Sequence, residues 1–252
     1  MPLLTFLSDF GLQEHYVAVV KAKILSELPQ QHIIDISHQI NLGNIVQASY
    51  LLKSVYKDLP SGSVHLVAVG TAYENSHLLI KYQNQFFIGP DNGIFSLCFD
   101  NDEDISCYQI SLNEPDSFPA KNIYANVALS ILTGNAISFS EYKNYERKIA
   151  RQPISQQTGI TGHVVYVEQT GNLITNINKE FFIKKTEGKR YTICFEYEKF
   201  NDLATGYHDA DYGDCIVFFN SNNLLEIAIN HGNAAQLLGM KYDSPVNIIL
   251  NE

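Results

Sequence analysis

The chain has 252 residues, 45% of them hydrophobic, with a net charge of −10 and a pI near 5.2. That length supplies one large domain or two smaller ones, each with its own core. The acidic balance repels phosphate backbones, so nucleic acid is not an expected partner. No apolar run reaches the roughly 18 residues of a membrane span, and no membrane association is expected.

Met1 to Leu7 lacks a basic region and passes directly into Ser8-Asp9, so it reads as a first strand rather than a signal peptide. Cys98, Cys107, Cys194 and Cys215 form no CxxC pair and read as buried, reduced thiols. No metal site is expected, and a cytoplasmic location is.

The first half alternates strand and helix. Leu3 to Leu7 is a short buried-strand pattern. From Glu14, Val17, Val20, Ile24 and Leu28 recur at helical spacing, and Pro29 ends the helix. His32 to Ile36 reads as strand two. Asn44 suits the N-cap of a helix turning Ile45, Ala48, Leu52 and Val55 inward. Ser63 to Val69 is strand three. The alternation predicts an α/β domain over residues 1–150 with a central, mostly parallel sheet. Leu78 to Tyr82, Gln85 to Ile88 and Ile105 to Ile110 add strands, and Asn122 to Leu132 a helix stopped by Gly134. Gly89-Pro90-Asp91-Asn92-Gly93 is a turn signal.

Gln152, Pro153 and the stretch Ser155 to Gly159 read as a linker. Beyond it the helical period vanishes. His163 to Val167, Leu173 to Ile177, Tyr191 to Tyr197, Ile216 to Phe219, Leu225 to Ile229 and Val246 to Leu250 are strand-like. Residues 151–252 therefore read as a small all-β, barrel-like domain.

Five stretches suggest chemistry. "SDFG", Ser8 to Gly11, follows strand one. Its carboxylate suits the paired hydroxyls of a ribose, or the cap of the next helix. "DISH", Asp35 to His38, ends strand two, where a lone histidine is more often structural than a base or ligand. "EQTGNLITNI", Glu168 to Ile177, carries a Gly-Asn turn. "YHDADYGD", Tyr207 to Asp214, is an acidic loop without EF-hand spacing. "LEIAINHGNAAQLLG", Leu225 to Gly239, is a strand, a glycine turn and a short helix. The amides of Gly232 and Asn233 are expected to point outward there. No GxGxxG or GxxxxGK[ST] is present.

Their order is more informative than any one of them. SDFG, DISH, GPDNG, TGNLITNI and NSNNLLEIAINHGNAAQLLG run along nearly the whole chain. In this order they resemble the S-adenosyl-L-methionine hydroxide adenosyltransferases, relatives of the fluorinase and chlorinase. The resemblance implies an α/β domain and a β-barrel. It implies a homotrimer with S-adenosylmethionine or adenosine between subunits, the former as substrate or ligand rather than cofactor. It places Asp9 on the ribose hydroxyls, Phe118 of "SFPAKN" along the ribose pocket, Asn172 on the adenine edge and Tyr207 stacked on adenine. Ser221 and the Asn230 to Ala234 turn match the segment contacting adenine and the methionine end. Glu168 stands where the family usually has Asp, and Thr170 where it has Phe.

"LVAVGTAYENSH", residues 66–77, stands where that family reads "VVDPGVGTxRR". This motif supplies an Asp and an Arg to a water-activating triad with the His of "TFHGRD". Gly70 falls at the Asp position, His77 at the Arg position and Pro119 at the His position. The resemblance thus implies hydrolysis of S-adenosylmethionine to adenosine and methionine, slowed by loss of the triad. A weakened, adenosyl-binding protein is the alternative. His77 is the candidate replacement base, carried on the loop.

Overall fold

The computed structural model describes residues 2–71, 76–99, 104–110, 116–135 and 140–251. Tyr73, Glu74 and Asn75 of the loop above lie outside the described residues. The chain divides into two compact units, Met1–Ile149 and Ala150–Glu252.

The first unit alternates as its periodicity predicts, through β1 (Leu4–Ser8), α1 (Tyr16–Glu27), β2 (Ile33–Ser37), α2 (Ile45–Tyr56) and β3 (Val64–Ala68). It continues with β4 (His77–Tyr82), β5 (Gln85–Pro90), α3 (Ile94–Cys98) and β6 (Ser106–Ile110). A π-helical turn, Ala120–Tyr124, runs directly into α4 (Ala125–Thr133), and β7 (Ser140–Glu141) closes the unit. Asn44 caps α2, accepting the Gln47 amide, and Gly134 ends α4 in the left-handed conformation. On α2 it is Tyr56 rather than Val55 that is fully buried, with Ala48, Ser49 and Leu52.

The seven strands run in the order β2-β1-β3-β5-β4-β6-β7. The sheet is mixed, which corrects the expectation of a mostly parallel one. β1 pairs parallel with β2 and β3, and β3 with β5, but β4 pairs antiparallel with β5 and β6, and β6 with β7. The reason is local. β4 and β5 are joined by a tight turn at Gln83 and Asn84, both at positive φ, and so short a connection permits only a hairpin. α1 and α4 cover one face of the sheet, over Leu4, Phe6, Leu66 and Ile88. α2 and α3 cover the other, over Leu7, Val67, Ile80 and Phe87.

The second unit is built on one antiparallel, curled and nearly closed sheet of barrel type. It comprises β8 (Ile154–Gln156), β9 (Gly159–Val167), β10 (Leu173–Asn178), β11 (Arg190–Phe195) and β12 (Glu198–Phe200). β13 (Cys215–Phe219), β14 (Leu224–Ile229) and β15 (Pro245–Asn251) complete it. Its core gathers Ile160, Leu173, Ile193, Val217, Ile227 and Ile248 from six of these strands. Two elements depart from the sequence reading. The stretch read as a linker forms β8, which folds back on β9 as a hairpin. Lys179–Thr186 forms a helix, α5, capped by Asn178 and anchored by the buried Phe182 and Thr186. Its single apolar turn is too short to register as a period.

Candidate functional site

In the first unit the sheet order sets the site. The parallel strands β1, β2, β3 and β5 end on one edge, and the antiparallel β4 begins there, His77 pairing with Pro90. Open α/β sheets bind ligands along such an edge. Asp9, His38, Gly70, Asn92 and His77 all stand on it.

Asp9 does not cap the following helix. α1 starts at Tyr16, and no side chain caps it. Instead the Oδ2 of Asp9 accepts two backbone amides, from Gly43 and from Gly70, each at 2.9 Å. These bonds fix the carboxylate on the edge and occupy one of its oxygens. Phe10 and Phe118 meet edge-on at 5.8 Å, and Tyr16 packs against both. The structure thus brings Phe118 beside the SDFG loop. The Phe118 amide itself is held by Asp116 Oδ1 at 2.6 Å.

The three positions that the sequence resemblance sets against a triad differ from one another. Gly70 is at φ +70°, and a Cβ there would lie 3.2 Å from Asn92 Nδ2. It contributes an amide to Asp9 and no acid. Pro119 precedes the π-helical turn with φ −55°. His77 is not a loop residue. It opens β4 and is 1% exposed. Its Nδ1 lies 2.8 Å from the Tyr124 hydroxyl. Burial holds the His77 imidazole below the ordinary histidine range, opposed by the charge of Asp116.

In the second unit the turn between β9 and β10 packs on the start of α6 (Ala234–Leu238). Gly171, at φ +94°, has no room for a Cβ against the Asn233 side chain, and its carbonyl accepts the Ala235 amide at 2.9 Å. This seats Asn172 in a polar cluster. Its Nδ2 lies 2.6 Å from the Tyr207 hydroxyl, 2.9 Å from Glu226 Oε1 and 3.3 Å from Glu168 Oε2. Two carboxylates and a hydroxyl around one atom require it to be the amide nitrogen, so Oδ1 points elsewhere. Burial and then the charge of Glu168 push the Glu226 carboxyl up, and burial and Glu226 push the Tyr207 phenol up. The Tyr207 ring rests edge-on against Phe218 and is 41% exposed.

Ser221 and Asn230 are not neighbours. Ser221 is exposed in the turn between β13 and β14, and Asn230 follows the opposite end of β14. A six-residue strand separates its ends by about 20 Å. Asn230 Nδ2 donates to the Ala210 carbonyl at 2.8 Å, tying the acidic loop to β14. The Gly232 amide does not point outward as expected. It donates to the Ile229 carbonyl at 2.9 Å, and Asn233 Oδ1 caps α6 through the Gln236 amide. The acidic loop gathers no group of three metal-ligating side chains among the described residues.

Glu226 is a member of this cluster that the sequence reading passed over. Its signal was a carboxylate inside the apolar run "LLEIAI", at a position that the β-strand period buries.

An α/β unit with a ligand edge, followed by a curled β unit carrying a buried amide-carboxylate cluster, defines a two-domain class. Residues 4–141 match the SAM hydroxide adenosyltransferase N-terminal domain and residues 162–247 the C-terminal domain. The chain belongs to the SAM hydroxide adenosyltransferase family. It is 25% identical to an (R)-S-adenosyl-L-methionine hydrolase of Thermus thermophilus, over 97% of this chain and 98% of that one. A namesake from Methanocaldococcus jannaschii is 26% identical, over 99% and 96%. A fluorinase of an Actinoplanes species is 22% identical, over 98% and 97%. Among solved structures, an uncharacterized conserved protein from Thermotoga maritima superposes with a TM-score of 0.87 and 28% identity, over 98% of this chain and all of that one. No helix among the described residues is long and apolar enough to cross a membrane.

Proposed function

We propose that the protein binds S-adenosyl-L-methionine and substitutes water at C5′, giving adenosine and methionine at slow turnover. The oxygen–C5′ bond forms as the C5′–sulfur bond breaks. The electron pair leaves on sulfur, and the water proton passes to solvent. The match of both family domains, in order, carries this reading, with hydrolases among the relatives.

Most of the candidate residues have a part in it. Asp9, with Oδ1 outside its two amide bonds, accepts from the ribose hydroxyls. Phe118 lines the ribose. Asn172 presents Oδ1 to the adenine amino group, because its hydrogens are committed to Tyr207 and Glu226. Tyr207 offers its exposed ring as a stacking face. The Asn230 to Ala234 turn lies toward adenine and the methionine end, and Ser221, at the other end of β14, does not share that contact.

The sulfonium leaves without a general acid, so rate depends on the attacking water. General-base assistance is typically worth about 10²–10⁴-fold. Gly70 supplies no carboxylate, Pro119 no imidazole, and His77 is enclosed against Tyr124. Slow hydrolysis follows. Enclosure of His77 also favours the second reading, an adenosyl-binding protein without significant turnover. Incubation with S-adenosylmethionine, followed by chromatography of adenosine, tests both. Slow release supports hydrolysis, no release supports the binding protein, and about 1 s⁻¹ or faster overturns the loss of catalytic groups.

Ligand contacts divided between two units fit a homotrimer with sites between subunits. No separate cofactor, nucleic acid or membrane enters this reading, and the location is cytoplasmic.

A further inference from the structure

The end of β1 and the end of β2 bring a serine, a histidine and an aspartate into contact. Ser8 Oγ lies 2.7 Å from His38 Nδ1. His38 Nε2 lies 3.1 Å from Asp35 Oδ1, close but not squarely aligned. Asp35 also pairs with Lys21. The arrangement resembles a nucleophilic triad, and two observations exclude that role. Ser8 is fully buried and His38 is 3% exposed, so neither side chain is open to a substrate although both stand at the strand ends.

The hydrogen bonds have one direction. A carboxylate does not face a bare ring nitrogen at this distance, so Nε2 carries the proton. Nδ1 is then bare and accepts the Ser8 hydroxyl. Ser8 Oγ in turn accepts the Phe10 amide at 3.4 Å. The His38 carbonyl accepts the Gly11 amide at 2.7 Å, and the loop that His38 begins reaches Gly43, whose amide meets Asp9. Every residue from Ser8 to Gly11 is therefore tied, directly or through a neighbour, to the segment 38–43.

We infer that His38 is a positioning residue for the ribose grip, its neutral Nε2–H form holding the SDFG backbone so that the Asp9 carboxylate faces the ligand. This rests on the functional reading above. The groups facing the ring are Ser8 and the Phe6 edge from β1, Asp35 of β2, and Lys21 of α1 behind Asp35. Burial holds the His38 imidazole below its ordinary range, and Asp35 opposes that shift. Protonation puts a second N–H on Nδ1, which turns the buried Ser8 hydroxyl proton away from its acceptor and makes the oxygen share its lone pairs between Nδ1 and the Phe10 amide.

The test is adenosine affinity by calorimetry, for wild type, His38→Asn and Asp35→Asn, from neutral to mildly acid pH. Loss of the buried bond should weaken binding by His38→Asn about tenfold. Wild-type affinity should be level above the ordinary histidine range and fall below it. Asp35 is exposed at the edge, so Asp35→Asn keeps the fold, and removing its charge should move that fall to lower pH. A merely structural histidine lowers thermal stability without moving the profile. Wild-type binding with His38→Asn unaffected, or with the Asp35→Asn profile unmoved, overturns the role of His38 alone. Wild type failing to bind adenosine overturns the functional reading, and this inference with it.

Discussion

The Asp9 carboxylate accepts the amide of Gly70 at 2.9 Å, across sixty-one positions of sequence. Gly70, which the sequence resemblance sets at an aspartate position, thus holds the residue proposed to grip the ribose. It makes that contact from a left-handed backbone, φ +70°, which favours glycine.

Gly70→Asp should therefore destabilise rather than restore. A left-handed backbone costs a residue with a Cβ about 1–2 kcal/mol. The new carboxylate would also sit beside Asp9 and crowd Asn92. Thermal unfolding should fall by a few degrees, on the order of 2–8 °C. An unchanged melting temperature would show that the loop relaxes freely.

Asp9→Ala should remove a charge-assisted acceptor and release two amides. Adenosine binding should weaken by about 1.5–3 kcal/mol. Calorimetry giving equal affinities would reduce Asp9 to a loop clamp.

His77→Asn separates a buried pair from a base. Since the ring is enclosed against Tyr124, adenosine release should fall less than about tenfold, short of the 10²–10⁴ typical of a general base. Loss in the larger range would reinstate His77 as the base. Tyr124→Phe strips the His77 ring of this partner and should cost about 1–3 kcal/mol of stability, measured by urea unfolding.

His65 makes the first unit sensitive to acid. Its ring is stacked on Phe87, bonded to Thr5 and Gln85, and pushed down to about 4 by burial. In the unfolded chain it titrates near about 6.5. Between those values the unfolded chain takes up a proton that the folded one refuses. Stability is therefore full above about pH 6.5 and falls by on the order of 3 kcal/mol toward pH 4. Urea midpoints for wild type and His65→Asn should converge as the pH is lowered, and parallel curves would refute the assignment.

Light scattering should return three copies of the chain. A monomer at micromolar concentration would count against ligand sites shared between subunits.

Much of this was legible in one dimension. Alternating periods of 3.6 and 2 in the first half, and of 2 alone later, determined an α/β unit followed by a β unit. Asn44, Gly134 and the turn residues marked element ends, because capping and positive φ are local requirements. The order of five motifs determined the family resemblance. Strand direction was legible at one place, since the two residues between Tyr82 and Gln85 leave room only for a hairpin. The neighbours of β4 and β6 in the sheet, which decide how far it is mixed, were not. Short elements such as β8 and α5 have too few apolar positions to show a period. The partners of site residues were hidden for a further reason. Gly43 and Gly70 reach Asp9, Tyr124 reaches His77, and Glu226 reaches Asn172, from 34 to 61 positions away. Local propensity carries no information about such pairs. Only the pairing of strands at about 4.8 Å, and the packing of helices and loops onto the sheet, brings them within hydrogen-bonding distance.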